Sequence, residues 1–136
     1  MKAALVCNTC FKMEKAELGR WGEDCAAQFF LDEGYEILHR NHRIGKSEVD
    51  LILRKENKLV FAEIKTRREE QPVREEELLT RSKVRALIRA ADLFLLRMPE
   101  NAEIRFDVVL ITLAGGNMRL KHIEDAFRDA GDFYDL

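Results

Sequence analysis

Three residues that could do chemistry stand close together in this chain. Asp50, Glu63 and Lys65 all fall in the stretch SEVDLILRKENKLVFAEIK, residues 47–65. Two apolar runs flank Glu56-Asn57 there, and their alternation predicts a β-hairpin. With Glu56 and Asn57 as the loop, Lys55 faces Lys58 and Ile52 faces Phe61. Asp50 is then expected opposite Glu63, and Glu48 opposite Lys65. Val49, Leu51, Leu53, Val60, Ala62 and Ile64 are expected on the other face. A slip of one residue would spoil that segregation, so the pattern argues for the register. Two facing carboxylates destabilise a strand pair. A divalent cation held by Asp50 and Glu63, with Lys65 beside it, would resolve the conflict. The alternative is a solvated sheet face with a Glu48–Lys65 ion pair.

Other elements must position this hairpin. A helical pattern runs from about Lys15 to Glu33, with Leu18, Trp21, Gly22, Cys25, Ala26 and Phe29 on one arc. Gly34 is its natural stop. Glu23 lies at the edge of that arc, where a carboxylate either reaches toward a neighbouring site or faces solvent. A strand follows over about residues 35–43. Residues 66–72 are charged, include Pro72 and read as a loop, which puts Thr66 and Arg67 within reach of a substrate. Glu75-Glu76-Glu77 reads as a solvated face. A second helix is expected over about residues 81–97, capped by Thr80 or Ser82, with Val84, Leu87, Ile88, Ala91, Phe94 and Leu95 buried. Residues 103–112 predict a strand buried on both faces, and 118–123 a shorter strand returning from a Gly115-Gly116 turn. One helical turn is expected over residues 124–128. The order predicts an α/β protein with a mixed central sheet of about five strands and helices packed on it.

At 136 residues and 46% apolar content, one domain with a real core is expected, over residues 15–128. Residues 1–14 form an N-terminal extension and 129–136 an acidic tail. The net charge of −2 means that any nucleic-acid role rests on local basic groups. Arg40, Arg43 and Lys46 cluster near the end of the second element. Arg81, Lys83 and Arg85 crowd a first helical turn, where they complement a bound anion or serve solubility. Cys7 and Cys10 form a lone CxxC. A zinc site needs a second pair, and His39 and His42 are the only nearby candidates. Three cysteines without a framework point to a reducing, cytoplasmic setting. No export signal or membrane span is expected.

Twelve residues separate Asp50 from Glu63-Ile64-Lys65. That spacing resembles the PD-(D/E)xK nuclease signature, although Val49 stands where the signature's name has proline. The segments GRWGEDCAAQFFLDEGYEILHRN, SEVDLI, FAEIKTR, RALIRAA, RFDVVLI and HIEDAF together resemble the bacterial YraN-like family. That family is uncharacterised and related in fold to Holliday-junction resolvases. The likeness covers roughly residues 18–127 and implies a restriction-endonuclease-like core. It implies Glu23, Asp50, Glu63 and Lys65 as the catalytic set, with Asp50 and Glu63 as ligands of Mg²⁺ or Mn²⁺. The reaction so implied is hydrolysis of phosphodiester bonds in DNA, branched DNA included. Arg40, Arg43, Lys46, Arg67, Lys83 and Arg85 are the basic groups that would meet nucleic acid. A homodimer is a further implication, because a junction needs two cuts. The alternative is a nuclease-like fold that binds nucleic acid without cutting it.

Overall fold

A computed structural model describes residues 2–5, 13–70, 79–98 and 101–128. The Cys7–Cys10 pair, most of the loop around Pro72 with Glu75–Glu77, and the 129–136 tail lie outside these residues. The strands are β1 (Lys2–Leu5), β2 (Glu36–Ile44), β3 (Ser47–Lys55), β4 (Lys58–Arg68), β5 (Glu103–Ala114) and β6 (Asn117–Phe127). The helices are α1 (Lys15–Asp32) and α2 (Arg81–Leu95). The strands form one sheet in the order β1-β6-β5-β4-β3-β2. Only β4 and β5 run parallel, and α2 is the crossover between them. A parallel pair needs such a connection, whereas the antiparallel pairs β2–β3, β3–β4 and β5–β6 are joined by tight turns. The architecture is thus the expected α/β, restriction-endonuclease-like core, with one strand more than expected. Lys2–Leu5, in the N-terminal extension, supplies it by pairing with β6.

Each helix covers one face of the sheet. Under α1, Ala26, Ala27 and Phe30 are buried against Leu51, Leu53, Val60, Ala62, Ile64 and Val109. Under α2, Val84, Leu87, Ala90 and Ala91 are buried against Ile52, Leu59, Phe61, Phe106 and Phe127. β5 is buried from Arg105 to Leu113, which explains its unbroken apolar run. Thr80 caps α2, its hydroxyl accepting from the Lys83 N–H at 3.1 Å. α1 approaches β4 at Gly22, where an added Cβ would lie 1.8 Å from Thr66 Oγ1. The helix tolerates the glycine because this contact admits no side chain.

Three local expectations are corrected. Thr66, Arg67 and Arg68 extend β4 rather than begin a loop. Their main chain pairs with Ile111, Thr112 and Leu113 of β5, which outweighs their polar character. Residues 124–127 continue β6 instead of forming a helical turn. The register between β5 and β6 shifts between Phe106 and Val108, and Asp125 adopts φ 54°. The third correction concerns Val49. It is buried under α2 with Ile52, not beside Leu51 and Leu53 under α1. Residues three apart share a face only if the strand departs from its pleat between them. β3 therefore changes face around Asp50.

Candidate metal centre at the splayed hairpin

The hairpin register is as expected from Lys55↔Lys58 through Ile52↔Phe61 to Leu51↔Ala62, where the ladder ends. Beyond that point β3 continues its pairing with β2 alone, through His42↔Val49, Arg43↔Glu48 and Ile44↔Ser47. Asp50 and Glu63 are therefore not strand partners, and Glu48 faces Arg43 rather than Lys65. Asn41, on β2 next to this irregularity, adopts φ 48°. The departure from regular pairing frees the Ile64 N–H, which donates to Asp50 Oδ2 at 2.8 Å. Sequence alternation cannot foresee this, because it assumes an unbroken pleat.

The side chains of Asp50 and Glu63 nonetheless meet. Burial pushes the Glu63 carboxyl up to about 8, the Asp50 charge adds to that, and Lys83 opposes it. Burial also raises Asp50, against the Ile64 N–H and Lys83, which lower it. With both acids ionised, Glu63 Oε2 is buried without a hydrogen-bond donor. With one proton between them, Glu63 and Asp50 share a hydrogen bond. Either a proton or a cation must therefore offset two anions held side by side.

Lys83 Nζ lies 3.5 Å from Glu63 Oε1. Expected to meet phosphate, this lysine instead reaches into the acidic pair from the first turn of α2. Its place at the margin of the buried stripe was the only sequence signal. Lys65 is exposed and forms no hydrogen bond or ion pair among the described residues. Glu23 accepts from Asn41 Nδ2 at 3.2 Å. Its carboxyl is raised by burial, with smaller contributions from Asp50 and Glu48, while Asn41 and Arg40 oppose them. Glu23 thus shares the electrostatic field of Asp50. Among the described residues, however, no three His, Cys, Asp or Glu side chains gather closely enough to hold a metal.

The expected basic groups divide. Arg40 is held by Asp24 of α1 at 2.5 Å. Arg67 Nε donates to Thr112 Oγ1 at 3.4 Å. Arg43, Lys46 and Arg85 are exposed. His39 and His42 stack on each other with centroids 4.1 Å apart.

A second polar cluster was not anticipated. Asp107, with a fully buried side chain, takes two 2.8 Å bonds from Arg105, one at 3.0 Å from the Asp125 N–H, and lies 2.6 Å from His122 Nε2. Arg105 also donates to Tyr35 Oη and Glu124 Oε1. Burial raises the Asp107 carboxyl, but its hydrogen bonds with His122 and Arg105 win and hold it below the usual aspartate value. Asp107 thereby satisfies the irregular backbone of β6, a task set by tertiary pairing.

The family described as "Uncharacterised protein family UPF0102" matches residues 22–111. The chain belongs to the UPF0102 family. This agrees with the resemblance carried by the sequence segments. A UPF0102 protein of Bacteroides thetaiotaomicron is 38% identical over 114 residues, covering 84% of this chain and 94% of the relative. One from Syntrophomonas wolfei is 43% identical over 112 residues, covering 82% and 97%. One from Caldicellulosiruptor saccharolyticus is 42% identical over 118 residues, covering 85% and 100%. The family match begins at Gly22, which lies against Thr66, and it spans Glu23, Asp50, Glu63, Lys65 and Lys83. No described helix is long and apolar enough to cross a membrane.

Proposed function

We propose that this UPF0102 protein is a divalent-metal-dependent nuclease that hydrolyses phosphodiester bonds in DNA. The observation that carries the reading is the buried Glu63 Oε2, an acceptor with no donor, beside the Asp50 carboxyl. That donor set fits a hard cation. Mg²⁺ needs few protein oxygens because it keeps several waters. Asp50 and Glu63 would hold it, with the Ile64 carbonyl as a further oxygen. Bound there, Mg²⁺ or Mn²⁺ would neutralise charge on the phosphoryl oxygens and lower the pKa of an attacking water.

The chain's own residues have distinct tasks in this reading. The Ile64 N–H fixes one oxygen of Asp50. Lys83 orients Glu63 through Oε1 and leaves Oε2 to the site. Lys65, free of protein partners among the described residues, orients the attacking water or stabilises charge on the phosphoryl group. Glu23 acts from outside the pair, through the field it shares with Asp50. DNA branched at a junction needs two cuts, which a symmetric homodimer would supply.

Two observations favour a second reading, a nuclease-like module that binds nucleic acid without cutting. No third acidic ligand joins Asp50 and Glu63 among the described residues, and Lys83 already offsets part of their charge. Incubation with linear, flapped and four-way DNA, with and without Mn²⁺, separates the two. Metal-dependent cleavage of any substrate supports the nuclease. Binding without cleavage of every substrate supports the module.

A further inference from the structure

A groove beside α2 carries a feature that metal chemistry does not use. Two adjoining cavities, of about 660 and 440 Å³, run along the β2–β3 turn and the C-terminal half of α2. They share Ile44, Gly45 and Leu93 and so form one continuous depression. Arg43 and Arg97 line the first part, and Lys46 and Arg89 the second. Among the described residues, no aspartate or glutamate lines either. None of the four cations forms an ion pair among the described residues, although Glu48 is the strand partner of Arg43. In a chain with a net charge of −2, this is a local concentration of positive charge.

The groove also presents stacked rings. His39 and His42 lie 4.1 Å apart at 25° and meet the Phe94 ring edge-on at 5.8 and 6.1 Å. Burial, with lesser contributions from His39 and Arg97, lowers the His42 pKa and so favours the neutral ring. Leu93 and Leu96, which line the same groove, are 46% and 82% exposed. Unpaired cations beside flat rings and exposed apolar side chains are the combination that single-stranded nucleic acid uses. The cations meet phosphates, and the rings take the faces of unstacked bases.

We infer that this groove binds a single-stranded segment of nucleic acid, with bases against His39 and His42 and phosphates against Arg43, Lys46, Arg89 and Arg97. The inference deepens the nuclease reading by naming an unpaired strand as the substrate element, and it rests on that reading only for the strand's path to Asp50. That path is short. Arg89 lies about 9 Å along α2 from Lys83, and the helix end at Leu95, just before Arg97, about 18 Å, at roughly 1.5 Å per residue. A strand lying in the groove would run out toward the acidic pair.

The test is fluorescence anisotropy with labelled oligo(dT), oligo(rU) and a duplex of equal length, all in EDTA. Leaving out the metal makes the result independent of whether the protein cleaves. The protein is expected to bind single strands more tightly than the duplex, and the two oligonucleotides distinguish DNA from RNA as the source. Arg43→Glu/Arg97→Glu should weaken binding at least tenfold and flatten the salt dependence by about 1.4, at roughly 0.7 per lost phosphate contact. His39→Ala/His42→Ala should weaken it about tenfold with the salt slope unchanged, because stacking is not a counterion effect. Thermal melting of each variant establishes that the fold is kept. Tighter binding of duplex, or unchanged oligonucleotide affinity in both folded variants, overturns the inference. Loss of binding in these variants upholds it even if the wild-type protein cuts nothing.

Discussion

Asp50 accepts a hydrogen bond from the backbone of Ile64, at 2.8 Å, just past the last paired residues of the hairpin. One carboxylate therefore replaces a missing strand contact and presents its charge to Glu63. These two duties separate in different substitutions. Asp50→Asn keeps an oxygen for the Ile64 N–H and removes the charge. Mn²⁺-dependent cleavage should fall by at least about a hundredfold, with thermal stability unchanged or raised. Asp50→Ala should lose cleavage equally and also lose the contact, which contributes about 1 kcal/mol. Plasmid nicking together with calorimetric melting reads both effects.

Glu63 sets the pH response. Its folded pKa of about 8 exceeds the ordinary 4.5, so the native protein binds the proton more tightly than the unfolded chain. Stability from this group is fully present below 4.5 and is lost as pH rises through about 8. His42, lowered from 6.5, opposes this trend only below 6.5. Between pH 6.5 and 8.5, in EDTA, the wild type should lose on the order of 1–3 kcal/mol in urea unfolding. Glu63→Gln should flatten that slope and be the more stable protein at the upper end. A wild-type slope that survives the substitution would show that another group is responsible.

Metal binding should carry the same signature. A cation competes with the proton on Glu63, so Mn²⁺ affinity should rise with pH and its binding should release protons. Calorimetry in two buffers of different ionisation enthalpy measures the release. Glu63→Gln should abolish both binding and release, whereas Lys65→Ala should leave binding intact and reduce cleavage.

Gly22 tests the contact between α1 and β4. Gly22→Ala places a methyl group 1.8 Å from Thr66 Oγ1, so the helix must shift. The cost should be about 1–3 kcal/mol, outweighing the helix propensity gained. Thr66→Ala should recover part of it, seen as a non-additive double-mutant cycle in thermal melts.

Asp107 should control acid stability. Its carboxyl is held below 3.8, so it contributes stability that is present above 3.8 and lost as pH falls through its lower folded value. Asp107→Asn should destabilise the protein at neutral pH by about 3 kcal/mol, because Arg105 loses its buried counterion and keeps only the exposed Glu124. The acid limb of the stability profile should then flatten. Equilibrium unfolding from pH 2 to 7 checks both.

Much of this protein is set by its sequence alone. Period-2 and period-3.6 patterns locate α1, α2, the hairpin and the doubly buried β5, because solvent exclusion acts on each face separately. The same alternation fixes the register from Lys55↔Lys58 to Leu51↔Ala62, and the spacing of Asp50 and Glu63 is enough to bring two acids together. Tertiary structure decided the rest. It ended the β3–β4 ladder short of Asp50, turned Val49 to the other face and gave the Ile64 N–H to a side chain. It brought Lys83 from a distant helix onto Glu63, joined Asp24 to Arg40, and gathered Asp107, Arg105, His122 and Tyr35. It also extended β4 through Arg68, paired Lys2–Leu5 with β6, and set His39 against His42. The reason is common to all of them. Local patterns record which face of an element avoids water. They do not record where a ladder must break, or which distant polar group will satisfy the donors and charges that the break leaves behind.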